Sequence, residues 1–286
     1  IKKSGFELKV ITSRKIELSS KFKVMKNYIK NFRINLIFID NYSINSVWEK
    51  EISKYCKIVL IEDFLKRKTY CDYYINYHLV NGKENNKYFV KKNCIKLLGP
   101  KYSIIKKIKK KKKISLNKRN ILIFMGGVDN TNVTSKLISL LGSRDFENFN
   151  IKIIIGKKNK RKKEIENKVN KLKNFSTFIG VYKNLYNFFR ESKLCIINAG
   201  VTMYETLIIG NQILIIPQSN FHKRILKNYY KHNVFDHIDN IKNLKKEKII
   251  KLLLNKVSKR TLQNRKAFFD DKGASRIVEY FAELIK

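Results

Sequence analysis

The chain has 286 residues, a length for one large domain or two ordinary ones. An apolar share of 43 % with 12 % aromatics excludes a disordered polymer, because there are enough side chains to bury a core. Lys and Arg number 63 against 23 Asp and Glu, a formal net charge of +40, and no apolar run reaches the roughly 18–20 residues that cross a bilayer.

Short β-branched runs alternate with amphipathic polar stretches, the pattern of a parallel sheet covered by helices. In the first part this predicts strands at Glu7–Thr12, Leu36–Asp40, Lys57–Glu62 and Tyr73–Tyr77, and helices at Lys21–Phe32 and Ser46–Lys54. Ile1 stands where a start Met would, and Lys2-Lys3-Ser4-Gly5 leads directly into a strand. A doubly wound half-domain opens with a strand–loop–helix, so the first half is expected to be truncated by about one β-α unit. No charged-then-apolar leader with a small-residue cleavage site opens the sequence as given. The basic run Lys106–Lys113, broken only by Ile108, repels itself and is expected to be a solvated linker.

Beyond it, strands are predicted at Ile121–Met125, Ile151–Ile155, Leu194–Asn198 and Ile213–Ile216. Helices are predicted at Asn132–Leu141, Lys162–Lys173, Leu185–Glu191, Met203–Ile209 and His222–His232, with Leu244–Leu254 and Thr261–Ile285 closing the chain. The fold class is α/β, two Rossmann-like domains: residues 1–113 as an incomplete sugar-side domain and 114–286 as a nucleotide-binding domain, the last helix returning onto the first.

Four strand-end loops carry chemistry. Met125-Gly126-Gly127-Val128-Asp129-Asn130-Thr131-Asn132 lies between a strand and a helix. Its glycines admit close backbone approach, and the helix start offers N–H groups to an anion; Asp129 and Thr131 are also ordinary helix-entry residues. Asn198-Ala199-Gly200-Val201-Thr202-Met203-Tyr204-Glu205 repeats the strand–glycine–helix arrangement. There Thr202 and Glu205 fit a capping box, or else Thr202 faces a phosphate while Glu205 accepts from a vicinal diol. Pro217-Gln218-Ser219-Asn220 sits at the carboxyl end of a strand, where open α/β sheets bind ligands. Ile39-Asp40-Asn41-Tyr42 occupies the same place in the first half, with groups suited to acid–base or orienting roles.

The positive charge is spread along the chain together with abundant Ile and Asn, which share A/T-rich codons with Lys, so composition accounts for it. No RNA-recognition, zinc-finger or helix-turn-helix signature accompanies it, and a nucleotide would still gain from the field. The four cysteines, Cys56, Cys71, Cys94 and Cys195, lack C-x-x-C spacing and are expected to be reduced. His78, His222, His232 and His237 show no metal-binding spacing.

These loops, in this order, resemble the PseG-type family of UDP-sugar hydrolases of pseudaminic acid biosynthesis, whose relatives include MurG-like GT-B glycosyltransferases. The resemblance also runs through Glu62-Asp63, Cys71-Asp72-Tyr73, Leu98-Gly99-Pro100-Lys101-Tyr102 and Phe124 before the first glycine pair. It implies a GT-B (MurG-like) architecture with UDP in the C-terminal domain, Gly126, Gly127, Gly200 and Thr202 near the diphosphate, Glu205 at the ribose and Asp129 among the nucleotide-binding residues. It implies the sugar in an interdomain cleft against Asp40, Tyr42 and Asn220, with water displacing UDP from UDP-2,4-diacetamido-2,4,6-trideoxy-β-L-altropyranose.

No cofactor and no metal is implied. The expected partner is the UDP-sugar, with no nucleic acid and no membrane span, and the protein is expected to be a cytoplasmic monomer. The family opens on a Gly-His loop that supplies a general base, which would lie before Ile1. It has Asp-His-Tyr at Asp40-Asn41-Tyr42 and Asn-Gln at Asn220-Phe221. The rival readings are a GT-B glycosyltransferase using a UDP-sugar donor, an inactive family member, and a basic nucleic-acid-binding protein.

Overall fold

A computed structural model describes residues 18–63, 68–79, 90–107, 117–180, 185–238 and 240–285. The expected strand Glu7–Thr12 and the basic stretch from Ile108 to Lys113 lie outside the described residues. The chain divides into two compact α/β units.

Among its described residues, the first unit contains α1 (Leu18–Asn31), β1 (Leu36–Ile39), α2 (Ser46–Ile52), β2 (Lys57–Ile61), β3 (Tyr73–Asn76) and β4 (Ile95–Leu98). The strands form one sheet in the order β1-β2-β3-β4, with β1, β2 and β3 parallel. Ile58, Val59 and Leu60 are buried at consecutive positions of β2, and Tyr74 and Ile75 at consecutive positions of β3, as expected for a sheet covered on both faces. Asn45 caps α2 by accepting from Trp48 N–H at 3.0 Å, which turns Trp48 and Ile52 into the core. β4 was not predicted; its Ile95 and Lys96 are exposed, so it lacks the apolar run that marks a buried strand.

The second unit carries β5 (Asn117–Phe124), α3 (Val133–Leu141), β6 (Asn150–Ile155), α4 (Lys162–Val169), β7 (Phe175–Ile179) and α5 (Leu185–Glu191). It continues with β8 (Ser192–Ile197), α6 (Val201–Ile209), β9 (Gln212–Ile215), α7 (Asn220–Lys227), β10 (Asp236–His237), α8 (Lys246–Leu254), α9 (Lys259–Phe268) and α10 (Gly273–Ile285). Its sheet is parallel throughout, in the order β10-β9-β8-β5-β6-β7.

The alternation of strand side chains sorts the core into two layers. Ile121 and Ile123 point to α3, α4 and α8, joining Leu137, Ile165 and Ile249. Leu122 and Phe124 point to the other face, joining Phe189 of α5, Met203 and Leu207 of α6 and Leu226 of α7. Each fully buried Ile or Leu stabilises this arrangement by roughly 1.5–3 kcal/mol, so the doubly wound form follows from the period-2 pattern of one central strand.

Three predicted helices end differently. The Lys162–Lys173 stretch is helical only to Val169, and β7 follows. The His222–His232 stretch forms α7, which begins at Asn220 behind the Ser219 cap and stops at Lys227; a separate 3-10 turn covers Tyr230–His232. The Thr261–Ile285 stretch is two helices, with Phe269 extended between them. Asp270 fixes that break, accepting from Lys272 N–H at 2.9 Å and pairing with Arg276 at 2.6 Å.

The spatial division differs from a boundary at 113/114. Described residues 77–79 and 98–107 group with the second unit. His78 meets the Tyr204 hydroxyl at 2.7 Å, Asn228 donates to Leu79 O at 2.6 Å, and α10 packs on the turn Pro100–Tyr102, with Arg276 donating to Lys101 O at 2.9 Å. Long-range contacts of this kind leave no local composition signal.

Candidate functional site

The second sheet reverses direction between β5 and β8. From β5 the chain winds outward through α3 to β6 and β7; from β8 it winds the other way through α6 to β9 and β10. The two strands are paired, Phe124 opposite Ile197, so the loops leaving their carboxyl ends part from one point. Open α/β sheets bind ligands in the crevice at such a point. Gly126-Gly127 leaves β5 there and Asn198-Ala199-Gly200 leaves β8.

The glycines answer to geometry. Gly126 has φ +80°, and a Cβ on it would stand 3.4 Å from Asn198 Nδ2, so the two loops lie against each other. Gly127 backs onto Gly156 at the end of β6, where a Cβ would stand 2.2 Å from Gly127 O. Gly156 therefore sets the depth of the first loop. From the other side Gln218, after β9, donates its Nε2 to Met125 O at 2.8 Å. Asn198 Oδ1 is buried with no hydrogen-bond partner among the described residues.

The two helix starts beyond these loops differ. The N–H groups of Val133 and Thr134 on α3 are already taken, each at 3.0 Å, by the Asp129 carboxylate. Asp129 is buried and has φ +50°, so this acid serves its own helix, and α3 does not present those two amides to an anion as the sequence suggested. The start of α6 is open. Gly200 is its N-cap with no side-chain cap, and the amides of Val201 and Thr202 have no acceptor among the described residues.

Thr202 is thus inside the first turn of α6, not the cap, and no capping box with Glu205 forms. Glu205 lies one turn further along α6, half-buried, without a hydrogen bond among the described residues. Burial raises its pKa above the ordinary carboxylate value, with Lys106 opposing the shift. An acid held partly out of water and unpartnered by protein is suited to accept hydrogen bonds from a ligand.

The first unit has its own polar edge. Asp40 follows β1, Glu62-Asp63 follows β2 and Asn76 ends β3, all at the carboxyl ends of adjacent strands. The Tyr42 hydroxyl donates to Asp63 Oδ1 at 2.7 Å. Burial, this hydrogen bond and the negative charges of Asp63, Glu62 and Asp40 push the Tyr42 pKa well above its ordinary value, so the phenol keeps its proton. Asp40 is exposed and makes no hydrogen bond among the described residues. Asn220, expected beside these groups, belongs to the second unit. It opens α7 and lines a shallow hollow of about 450 Å³ with Lys223, Arg224 and Lys227.

The structure brings Gly126, Gly127 and Gly200 to one sheet edge, with Thr202 and Glu205 on the helix that follows Gly200. Sequence reasoning missed Gly156; its signal was a glycine directly after the apolar run Ile153–Ile155. A hollow of about 740 Å³ lies at the opposite edge, beside Gln212 and Asp236, and the glycine loops do not line it. Among the described residues no group of three or more His, Cys, Asp or Glu stands close enough to hold a metal ion, and no helix is long and apolar enough to cross a membrane.

No protein-family model matches the chain. An uncharacterized protein of Methanocaldococcus jannaschii is 30 % identical over 255 residues, covering 85 % of this chain and 51 % of that protein. The chain therefore spans about half the length of the curated relative it matches. Among solved structures, Acinetobacter baumannii MurG superposes with a TM-score of 0.62 at 10 % identity, over 97 % of this chain and 84 % of that one. The UDP-GlcNAc 2-epimerase of Neisseria meningitidis bound to UDP-GlcNAc gives 0.62 at 12 % identity, over 96 % and 84 %. The UDP-GlcNAc 2-epimerase of M. jannaschii, in complex with UDP-GlcNAc and UDP, gives 0.60 at 15 %, over 93 % and 80 %. The chain has this MurG-like, GT-B fold.

Proposed function

We propose that the second unit binds the UDP moiety of a nucleotide sugar and that the protein hydrolyses UDP-2,4-diacetamido-2,4,6-trideoxy-β-L-altropyranose by water attack at the anomeric carbon. The observation that carries the UDP half is the pairing, at one switch point, of two glycine loops with an uncapped helix start and a half-buried, unpartnered Glu205. The amides of Val201 and Thr202, with those of Gly126 and Gly127, would receive the diphosphate; Glu205 would accept from both ribose hydroxyls. Two solved structures of the same fold carry UDP-GlcNAc, one of them with UDP as well, which agrees with this reading.

The hydrolytic half rests on the resemblance to the PseG-type family and on the first unit's polar edge. In this reading a general base takes a proton from water and the water oxygen bonds to the anomeric carbon. The bond from that carbon to the phosphate oxygen breaks, its electron pair leaving with UDP. Preorganised N–H groups at the diphosphate lower the cost of that departing charge. The resemblance puts the general base in the Gly-His loop before Ile1; Asp40 would assist by orienting the water or the sugar, and Tyr42, its proton committed to Asp63, offers an oxygen that orients a hydroxyl.

The test incubates the protein with this UDP-sugar in ¹⁸O-water without any acceptor. UDP release with the label on the anomeric hydroxyl supports the hydrolase. Label on the UDP phosphate rejects attack at carbon. Turnover only after addition of an acceptor points to a glycosyltransferase, and binding of UDP without any turnover leaves the cradle and removes the hydrolase.

A further inference from the structure

Two cysteines that the proposed reaction does not use stand together in the first unit. Cys71 is fully buried just ahead of β3, and Cys94 is half-buried just ahead of β4. Their sulfurs are 3.7 Å apart. The register is held by Ile95 N–H donating to Asp72 O at 2.9 Å, so the two residues face each other across neighbouring strands. A disulfide needs a separation of about 2.0 Å between sulfurs, so the two sulfurs must approach by less than 2 Å from the 3.7 Å seen here.

The surroundings distinguish the two thiols. Lys91 is tethered to Asp72 at 2.6 Å and lies over the Tyr70 ring, which keeps its positive charge near Cys94; Lys96 adds a second. The hydrogen bond from Cys71 comes first, and with these lysines it lowers the Cys94 pKa. The same hydrogen bond and burial raise that of Cys71. Cys94 is thus the more accessible and more readily ionised thiol, placed to attack first, and Cys71 the sheltered thiol that follows.

We propose that Cys71 and Cys94 form a dithiol–disulfide site, oxidised by a hydroperoxide. The Cys94 thiolate attacks the peroxide: an S–O bond forms, the O–O bond breaks, and the leaving oxygen takes a proton. Cys71 loses its proton and attacks the Cys94 sulfur; the S–S bond forms and hydroxide departs, protonated to water. Two thiols and one hydrogen peroxide give one disulfide and two waters. The crosslink joins edge strand β4 to β3 at the amino end of the sheet, whereas Asp40 and Asp63 lie at its carboxyl end.

The test treats the folded protein with hydrogen peroxide, quenches it, and titrates thiols after denaturation, with peptide mapping under non-reducing conditions. Titratable thiols fall from the four of Cys56, Cys71, Cys94 and Cys195 to two, with one peptide pair joining residues 71 and 94, restored by dithiothreitol. Cys94→Ser abolishes the link. Cys71→Ser leaves a sulfenic acid on Cys94 that a cyclic 1,3-dione traps. Four surviving thiols, a link through Cys56 or Cys195, a link between two chains, or a Cys94 sulfinic acid without crosslink would overturn the site.

Discussion

The Asp129 carboxylate closes the first turn of its own helix, accepting from Val133 N–H through one oxygen and from Thr134 N–H through the other, both at 3.0 Å. The acid is buried, and its backbone is left-handed at φ +50°, so it reaches forward over the turn instead of outward. Asp129→Ala should cost about 1–2 kcal/mol, the usual loss of a cap, and change UDP affinity little. Asp129→Asn should cost less, because Asn tolerates this backbone region and still accepts one bond. Chemical denaturation paired with UDP titration checks this; a large loss of affinity at preserved stability would return Asp129 to the ligand.

Gly156→Ala probes the depth of the first glycine loop. The new Cβ would lie 2.2 Å from Gly127 O and 2.5 Å from Gly127 Cα. Both are backbone atoms, so no flexible side chain can yield, and overpacking of this kind costs roughly 1–3 kcal/mol. The loop carrying Gly126 and Gly127 must move, and UDP affinity should fall about tenfold or more with the fold retained. Gly127→Ala, whose Cβ would meet nothing within 4 Å, should be mild unless a phosphate occupies that space. Comparing the two by calorimetry separates loop position from direct contact.

The doubly wound class was legible because β5 states it locally. Ile121 to Phe124 alternate between faces, and the stretches Ile151–Ile155, interrupted only by Lys152, and Ile213–Ile216 are too short for helices. The glycine loops were legible as strand–glycine–helix punctuation. The roles within them were not. A side chain reaching four residues forward (Asp129), or a helix starting two residues early at Val201, depends on φ and ψ, not on residue type. Gly156 and Gln218 act on loops far away in sequence, and β10, two residues long, is fixed by pairing with β9. Periodicity cannot report such contacts.

Glu205 links ligand recognition to stability. Its folded pKa is raised by burial above the ordinary 4.5. The sign follows: its contribution to stability is full below about pH 4.5 and is lost as pH rises through the raised value. Glu205→Gln should therefore raise the Tm at neutral pH while UDP binding weakens, about tenfold if both ribose hydroxyls are held. The Tm difference should shrink as the pH is taken below 4.5. In the wild type, UDP affinity should drop on acidification at a higher pH than an ordinary carboxylate would allow. A variant that binds UDP normally, or one less stable at neutral pH, contradicts the assignment.

Tyr42 and Asp63 give the final prediction. The 2.7 Å hydrogen bond commits the phenol proton to the carboxylate, and burial with the nearby acids keeps the phenol from ionising. Tyr42 therefore orients without taking a proton, and the rate should show no alkaline limb at the ordinary tyrosine value of 10.0. Tyr42→Phe removes the hydroxyl and leaves Asp63 without this donor. A loss of about tenfold in kcat, near 1.4 kcal/mol, is expected with UDP affinity unchanged. Asp63→Ala removes the carboxylate that accepts from the phenol and should lower kcat similarly, and the double variant should lose little more than either single one, since both break this shared hydrogen bond. Additive losses in that cycle would show that the two side chains act separately.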